Sequence, residues 1–377
     1  MSKEGGPSLT RRKFLIRTAA IGFGTGLGTI AGVGLAGLFT KRRGPEPGKP
    51  HSTTPLATET HEVPGSPLVT VENGQFYRNG KKFGLFGTDN YALMTSPSYI
   101  AYSSPVMTDE DRASYMKDIR SKGMNVVRCW AFPVLDRNGQ DLSAFDTILH
   151  LAGQDIVVYP TFENEWPNSD GMTHVKSTEW YKQGYKVTYR PYVLLMAERY
   201  KGDPRIFAFQ LINEAQCDDP EALYEFTKDM VRSIKAIDRD RLVTLGTIGS
   251  GQPGTAGEYY ARLMKLCDFG DVHLYANNGT AGALSSDFAT LARQNKPLII
   301  GEWGIPVSQP DIASNAEIMK YALTQPNFGG VIVWEYEDSA YNRGSNDDGF
   351  QETAGSPALS FFQSYADKLK TPDLRNH

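Results

Sequence analysis

Ile206-Phe207-Ala208-Phe209-Gln210-Leu211-Ile212-Asn213-Glu214 is an apolar run of strand length that ends in a carboxylate. A second run, Pro297-Leu298-Ile299-Ile300-Gly301-Glu302, has the same shape and leads into Trp303-Gly304. Both read as buried strands. A carboxylate at the mouth of a buried strand costs desolvation energy, so it is seldom placed there for packing alone. Two of them on one sheet point to paired-carboxylate chemistry.

Outward from these runs, short β-rich segments alternate with amphipathic ones. Strands are predicted over Phe83–Gly87, Asn125–Cys129, Asp155–Thr161, Phe207–Ile212, Leu242–Gly246, Asp271–Tyr275, Pro297–Gly301 and Val331–Trp334. Helices are predicted between them, among them Thr108–Lys122, Trp180–Tyr200, Pro220–Ile237, Glu258–Leu266, Ser285–Gln294 and Ile312–Leu323, with Ala358–Leu369 last. A hairpin comes first, Leu68–Val71 and Phe76-Tyr77 about Glu72-Asn73-Gly74, followed by Asn79-Gly80. Strand–helix repeats of this number in roughly 300 residues predict an α/β fold, a (β/α)8 TIM barrel with a short N-terminal β-hairpin. An open doubly wound sheet uses similar units, but no Gly-x-Gly-x-x-Gly follows any strand, which weakens its dinucleotide-binding form.

In such a barrel the site lies at the C-terminal ends of the strands. Polar and aromatic residues gather there: Asn90-Tyr91, Arg128 and Trp130, Glu163, Asn164 and Trp166, Asn213-Glu214, His273 and Tyr275, Glu302-Trp303, and Trp334. Of the five tryptophans, all but Trp180 fall at that face. Aromatic faces suit the apolar C–H face of a sugar ring.

The flanks supply an address. Thr10-Arg11-Arg12-Lys13-Phe14-Leu15-Ile16 resembles a twin-arginine export signal, and a Gly- and Ala-rich apolar stretch follows to about Phe39. Residues 1–43 are therefore a twin-arginine-type signal or a membrane anchor. Gly34-Leu35-Ala36 offers a cleavage site, whereas Lys41-Arg42-Arg43 suits retention. Residues 44–66 are a Pro/Thr-rich linker, and 67–377 form the catalytic domain. The protein is thus expected outside the cytoplasm, extracellular or anchored, touching a membrane only through residues 1–43. The net charge of −4 and the lack of a basic cluster in the domain argue against nucleic acid as a partner. Three widely spaced cysteines, Cys129, Cys217 and Cys267, form neither a disulfide framework nor a zinc pattern. Folding in the reducing cytoplasm before export agrees with that usage.

The domain resembles glycoside hydrolase family 5, of the clan whose catalytic glutamates end barrel strands four and seven. Asn213-Glu214, His273-x-Tyr275, Glu302 and Trp334 stand in that family's order. Gly87-Thr88-Asp89-Asn90-Tyr91, Val127-Arg128-Cys129-Trp130-Ala131-Phe132 and Glu163-Asn164-Glu165-Trp166 are similar to segments of plant and fungal endo-β-1,4-mannanases. Four positions depart from them: Asp89 stands for Asn, Ala215 for Pro, Phe207 for Trp, and Glu165 adds a carboxylate. These bear on the sugar more than on the chemistry.

The resemblance implies a retaining hydrolase acting on β-1,4-linked mannan or glucomannan. Glu302 would be the nucleophile and Glu214 the acid/base, with carboxyl groups about 5–5.5 Å apart. Arg128 would hold and aim Glu302. Tyr275 would donate to Glu302, His273 would bond Glu214 or sugar, and Asn213 would meet the 2-hydroxyl. Trp334 would floor the −1 subsite. Asn90, Trp130, Asn164, Trp166 and Trp303 are further substrate-binding or supporting candidates. The alternatives are a family 5 β-glucanase or other β-glycosidase, and a non-catalytic carbohydrate-binding surface protein. No cofactor or metal is expected, since Asn346-Asp347-Asp348-Gly349 lacks EF-hand spacing and reads as a solvated turn. The expected partner is a β-linked polysaccharide or oligosaccharide, bound by a monomer.

Overall fold

Each of the two early Asn-Gly pairs makes a tight turn. Asn73 and Asn79 take φ of 49° and 53°, and Gly74 and Gly80 follow at 75° and 70°. Positive φ at both central residues matches the two-residue turn that right-twisted strands prefer. The turns join β1 (Thr70–Glu72), β2 (Gln75–Arg78) and β3 (Lys81–Lys82) into a small antiparallel sheet. The predicted hairpin thus gains a third strand.

The computed structural model describes residues 66–95, 106–136, 139–166, 176–275, 280–337 and 349–371. These belong to one unit, Val63–His377. Residues 1–65 and Asn346-Asp347-Asp348, and with them the export segment and nearly all of the linker, lie outside the described residues. No helix among the described residues is long and apolar enough to cross a membrane.

Eight parallel strands follow: β4 (Leu85–Asn90), β5 (Val126–Trp130), β6 (Val157–Thr161), β7 (Ala208–Gln210), β8 (Leu242–Thr244), β9 (Gly270–Tyr275), β10 (Leu298–Gly304) and β11 (Phe328–Val333). Their hydrogen-bonded order is β8-β7-β6-β5-β4-β11-β10-β9, a nearly closed barrel alternating with helices. The remaining seam, β8 against β9, is stitched rather than laddered. Asp268 N–H donates to Val243 O at 2.9 Å and His273 N–H to Ile248 O at 3.2 Å. Thr244 and Thr247 hydroxyls donate to Phe269 O at 2.9 Å and Asp271 O at 3.0 Å.

Successive strand residues face opposite sides, and two cores result. The larger lies between strands and helices. The smaller fills the barrel floor with Leu85, Val126, Val157, Ala208, Leu242, Phe269, Ile299 and Ile332, closed by Phe76 of β2. Phe76 meets Phe207 edge-on at 5.1 Å and Phe269 at 5.4 Å.

Helices Pro220–Ile237 and Glu258–Leu266 span the predicted residues. Asp219 caps the former by accepting from Glu221 and Ala222 N–H, and Pro220 sits where no N–H is needed. The predicted helix Trp180–Tyr200 is instead broken into Thr178–Lys182, a 3-10 turn Gly184–Lys186, and Tyr189–Arg199. In a continuous helix the Pro191 ring would clash with the Val187 carbonyl, whereas in the first turn of Tyr189–Arg199 it is tolerated. The predicted Ala358–Leu369 likewise splits into Pro357–Gln363 and Ala366–Lys370.

Candidate active site

Two residues above the apolar floor the interior turns polar. Arg128 is central to that layer and fully buried. Its Nε and Nη2 donate to Gln210 Oε1 at 2.9 and 2.7 Å, and Nη2 also reaches Asn213 Oδ1 at 2.6 Å. Nη1 donates to Asp89 Oδ1 at 2.6 Å and to Glu302 Oε1 at 2.9 Å. Burial alone would lower Arg128, but the charges of Asp89 and Glu302 outweigh it, so the guanidinium stays charged.

Glu302 reaches this layer through a break in strand alternation. Along β10, Ile299 belongs to the floor and Ile300 to the outer core. Register against both β9 and β11 shifts after Ile300. This bulge turns Gly301 and Glu302 inward together. A Cβ on Gly301 would lie 1.9 Å from Asp271 Oδ1, so the bulge requires glycine. Glu302 Oε2 then accepts from the Tyr275 hydroxyl, with His273 Nδ1 3.3 Å away.

Glu214 follows β7 with φ of 57°, a left-handed conformation that costs a side-chain-bearing residue about 1–2 kcal/mol. Its Oε1 lies 2.8 Å from His273 Nδ1, and its Oε2 accepts from Trp166 Nε1. Oxygens of Glu214 and Glu302 and a ring nitrogen of His273 lie within 4.8 Å of one another. Burial works against charge on His273, yet Glu302 and the bond to Glu214 raise its pKa above the ordinary histidine value.

The other candidates sort by contact. Asn213 Nδ2 donates to Asn164 Oδ1 at 2.8 Å, and Asn164 is fully buried, so Asn164 holds Asn213 rather than facing the cleft. Lys176 braces that loop from the Asn164 carbonyl at 2.6 Å and Glu163 at 3.4 Å. Glu165 turns away to the Tyr181 hydroxyl at 2.5 Å, and burial pushes it up to about 8. Asn90 Oδ1 accepts from Ala92 N–H at 2.9 Å, shaping the turn after β4. Trp334, Trp130 and Tyr91 form one aromatic wall, with centroids 5.5–6.3 Å apart.

Trp303, a substrate-binding candidate by its place beside Glu302, does not reach the cleft. It is fully buried on the outside of the barrel, where Nε1 donates to Asn315 Oδ1 at 2.7 Å and the ring meets Phe362. The bulge that turns Glu302 inward turns Trp303 outward.

Gln210 and Asp271 also belong to this layer, which the sequence around them does not reveal. Gln210 Nε2 and the Tyr159 hydroxyl both donate to Asp271 Oδ2 at 2.6 Å, so Gln210 links Asp271 to Arg128. A lone amide inside Phe209-Gln210-Leu211 was the available signal. Among the described residues, Glu214, His273 and Glu302 form the one cluster with metal-ligand spacing. Charged Arg128 beside it disfavours a cation.

Comparisons agree with this architecture. A profile described as Cellulase (glycosyl hydrolase family 5) matches residues 78–340. The probable mannan endo-1,4-beta-mannosidase A of Aspergillus niger is 25% identical over 322 residues, 72% of this chain and 82% of that one. Mannan endo-1,4-beta-mannosidase A of Hypocrea jecorina is 26% identical over 336 residues, 76% and 74% of the two chains. The crystal structure of endo-1,4-beta-mannanase from Rhizomucor miehei superposes with a TM-score of 0.68 at 22% identity, covering 80% of this chain and 99% of that one.

Proposed function

The chain belongs to glycosyl hydrolase family 5, and on that premise we propose that it cleaves β-1,4-linked mannan or glucomannan by double displacement. The observation that carries the reading is the unequal setting of two buried carboxylates within 4.8 Å. Glu302 is gripped by Arg128 and Tyr275, which suits a charged nucleophile. Glu214 is gripped by His273 and Trp166. A retaining enzyme holds its carboxyls closer together than an inverting one, which must admit a water between them, and here His273 Nδ1 reaches both carboxyls, at 2.8 and 3.3 Å, which supports retention.

In the first step a Glu302 oxygen bonds the anomeric carbon, the glycosidic C–O bond breaks, and Glu214 protonates the leaving oxygen. In the second, Glu214 takes a proton from water, which attacks the same carbon and frees Glu302. Asn213, fixed by Arg128 and Asn164, carries a second Nδ2 hydrogen that serves the sugar 2-hydroxyl. Trp334 offers its face to the ring in the −1 subsite. The names of the fungal relatives support mannan as the polymer.

Incubation with mannan, glucomannan, cellulose and aryl-β-glycosides tests the substrate. Mannan and glucomannan should be cut, and cutting of glucan without mannan overturns the sugar assignment. Proton NMR of the first product tests the mechanism, because appearance of the α-anomer first is incompatible with retention. Export rests on Thr10–Ile16. Replacing Arg11 and Arg12 together by Lys should hold the enzyme inside the cell, and unimpaired export removes the twin-arginine assignment.

A further inference from the structure

Asp89 is a buried carboxyl that the double displacement does not use. It shares one nitrogen, Arg128 Nη1, with the nucleophile: 2.6 Å to Asp89 Oδ1 and 2.9 Å to Glu302 Oε1. Two buried carboxylates set against one guanidinium nitrogen repel each other, and such pairs hold a proton on one member. The donors decide which. Glu302 has the Tyr275 hydroxyl on its other oxygen and His273 beside it. Asp89 Oδ2 is buried and has no hydrogen-bond partner among the described residues. The proton therefore belongs to Asp89.

The titratable neighbours of Asp89 come from four strands: Arg128 and Cys129 of β5, Tyr159 of β6, His273 of β9 and Glu302 of β10. Burial keeps Cys129 and Tyr159 neutral, by raising the former to about 12 and the latter well above the ordinary tyrosine value. The charges that act on Asp89 are then Arg128, His273 and Glu302. Burial raises Asp89 most, Arg128 lowers it, and the Glu302 charge raises it again, leaving it near 8. When Glu302 becomes an ester its charge is gone, while the pull of Arg128 remains.

We propose that Asp89 is a positioning residue that holds a proton while Glu302 is a free carboxylate and releases it when Glu302 is glycosylated. Arg128 Nη1 then holds one carboxylate charge throughout the cycle. The proposal rests on Glu302 being the nucleophile. On glycosylation the Asp89 O–H bond breaks and its proton passes to bulk water. On hydrolysis Glu302 regains its charge and Asp89 takes a proton back, so the cycle closes with no net change.

The test uses the full chain carrying 13C-labelled aspartate, treated with 2-deoxy-2-fluoro-β-mannosyl or -glucosyl fluoride. Peptide mass identifies the sugar on Glu302. Infrared difference spectra are taken at about pH 6, where an acid near 8 is protonated. Trapping should remove a protonated aspartyl C=O band, and Asp89→Asn should abolish that change. Wild type should also release about one proton more per enzyme than Asp89→Asn. A trapped wild type with unchanged aspartyl bands overturns the proposal, and that measurement stands even if the variant does not fold. Failure of both sugars to label Glu302 overturns the nucleophile assignment and this proposal with it.

Discussion

The barrel interior holds two neighbouring layers, one step of two residues apart along the strands, that differ in almost every physical respect. The floor, from Leu85 through Ile332, is apolar and capped by the Phe76 ring. The layer above it contains Arg128, Tyr159, Gln210 and Asp271, with Glu302 and Asp89 on its upper side. Each floor side chain contributes about 1.5–3 kcal/mol by leaving water, with loose demands on geometry. The polar layer offers no such gain, since buried charges are tolerated only when partnered. Rigidity for chemistry is obtained by seating a layer of interlocking hydrogen bonds about Arg128 on a greasy one, with strand pleat keeping them apart.

That contrast can be broken from either side. The largest effect is expected at the top: Glu302→Gln should reduce kcat about 10^6-fold, the scale seen on removing a nucleophile, with ligand binding retained. Turnover within tenfold of wild type would reassign the nucleophile. At the floor, Phe76→Ala should cost about 3–5 kcal/mol of stability in urea unfolding, while kcat of the folded enzyme stays within about threefold. A large loss of kcat there would mean that the layers are not separable. Between them, Gly301→Ala forces a methyl against Asp271 and should cost about 1–3 kcal/mol together with most of the activity. Intact activity would show that the bulge does not need glycine.

The smallest effect is a slope. Asp89, with a folded value near 8, keeps a proton that the unfolded chain loses near 4. The folded state thus binds more protons through that window, and stability falls as pH rises across it. Glu165 and Asp271 are also raised by burial and add to the fall. Urea unfolding at about pH 5 and about pH 8 should show the decline, shallower in Asp89→Asn. An equal slope in both proteins would mean that Asp89 is already ionised.

Much of this was legible in the chain. Apolar runs placed every barrel strand, and Asn73-Gly74 announced the hairpin turn. Glu214 and Glu302 stood out because a carboxylate after a buried strand has few packing reasons to be there. What escaped shares one cause. Its place at a strand end puts Trp303 at the cleft because alternation has no term for a bulge, and Gly301 alone does not reveal one. Gln210 and Asp271 meet across the barrel, 61 positions apart, so neither run contains the pairing. Trp180–Tyr200 looked continuous because its apolar residues keep helical spacing on both sides of the break.

The stitched seam between β8 and β9 has a kinetic meaning. Elsewhere round the barrel, neighbouring strands pair in register over three or more residues, except β6 and β7, which pair at Thr161 and Gln210, so parting them breaks main-chain bonds. At this seam the bonds include the buried hydroxyls of Thr244 and Thr247, each holding a single carbonyl outside any ladder. Local opening follows the weakest set of bonds, so amide hydrogens of β9 should exchange with solvent ahead of those of β4 or β5, which are laddered on both sides. β9 carries His273 and Tyr275, which touch Glu214 and Glu302. Thermal breathing of the barrel therefore begins at the strand that tunes both carboxylates.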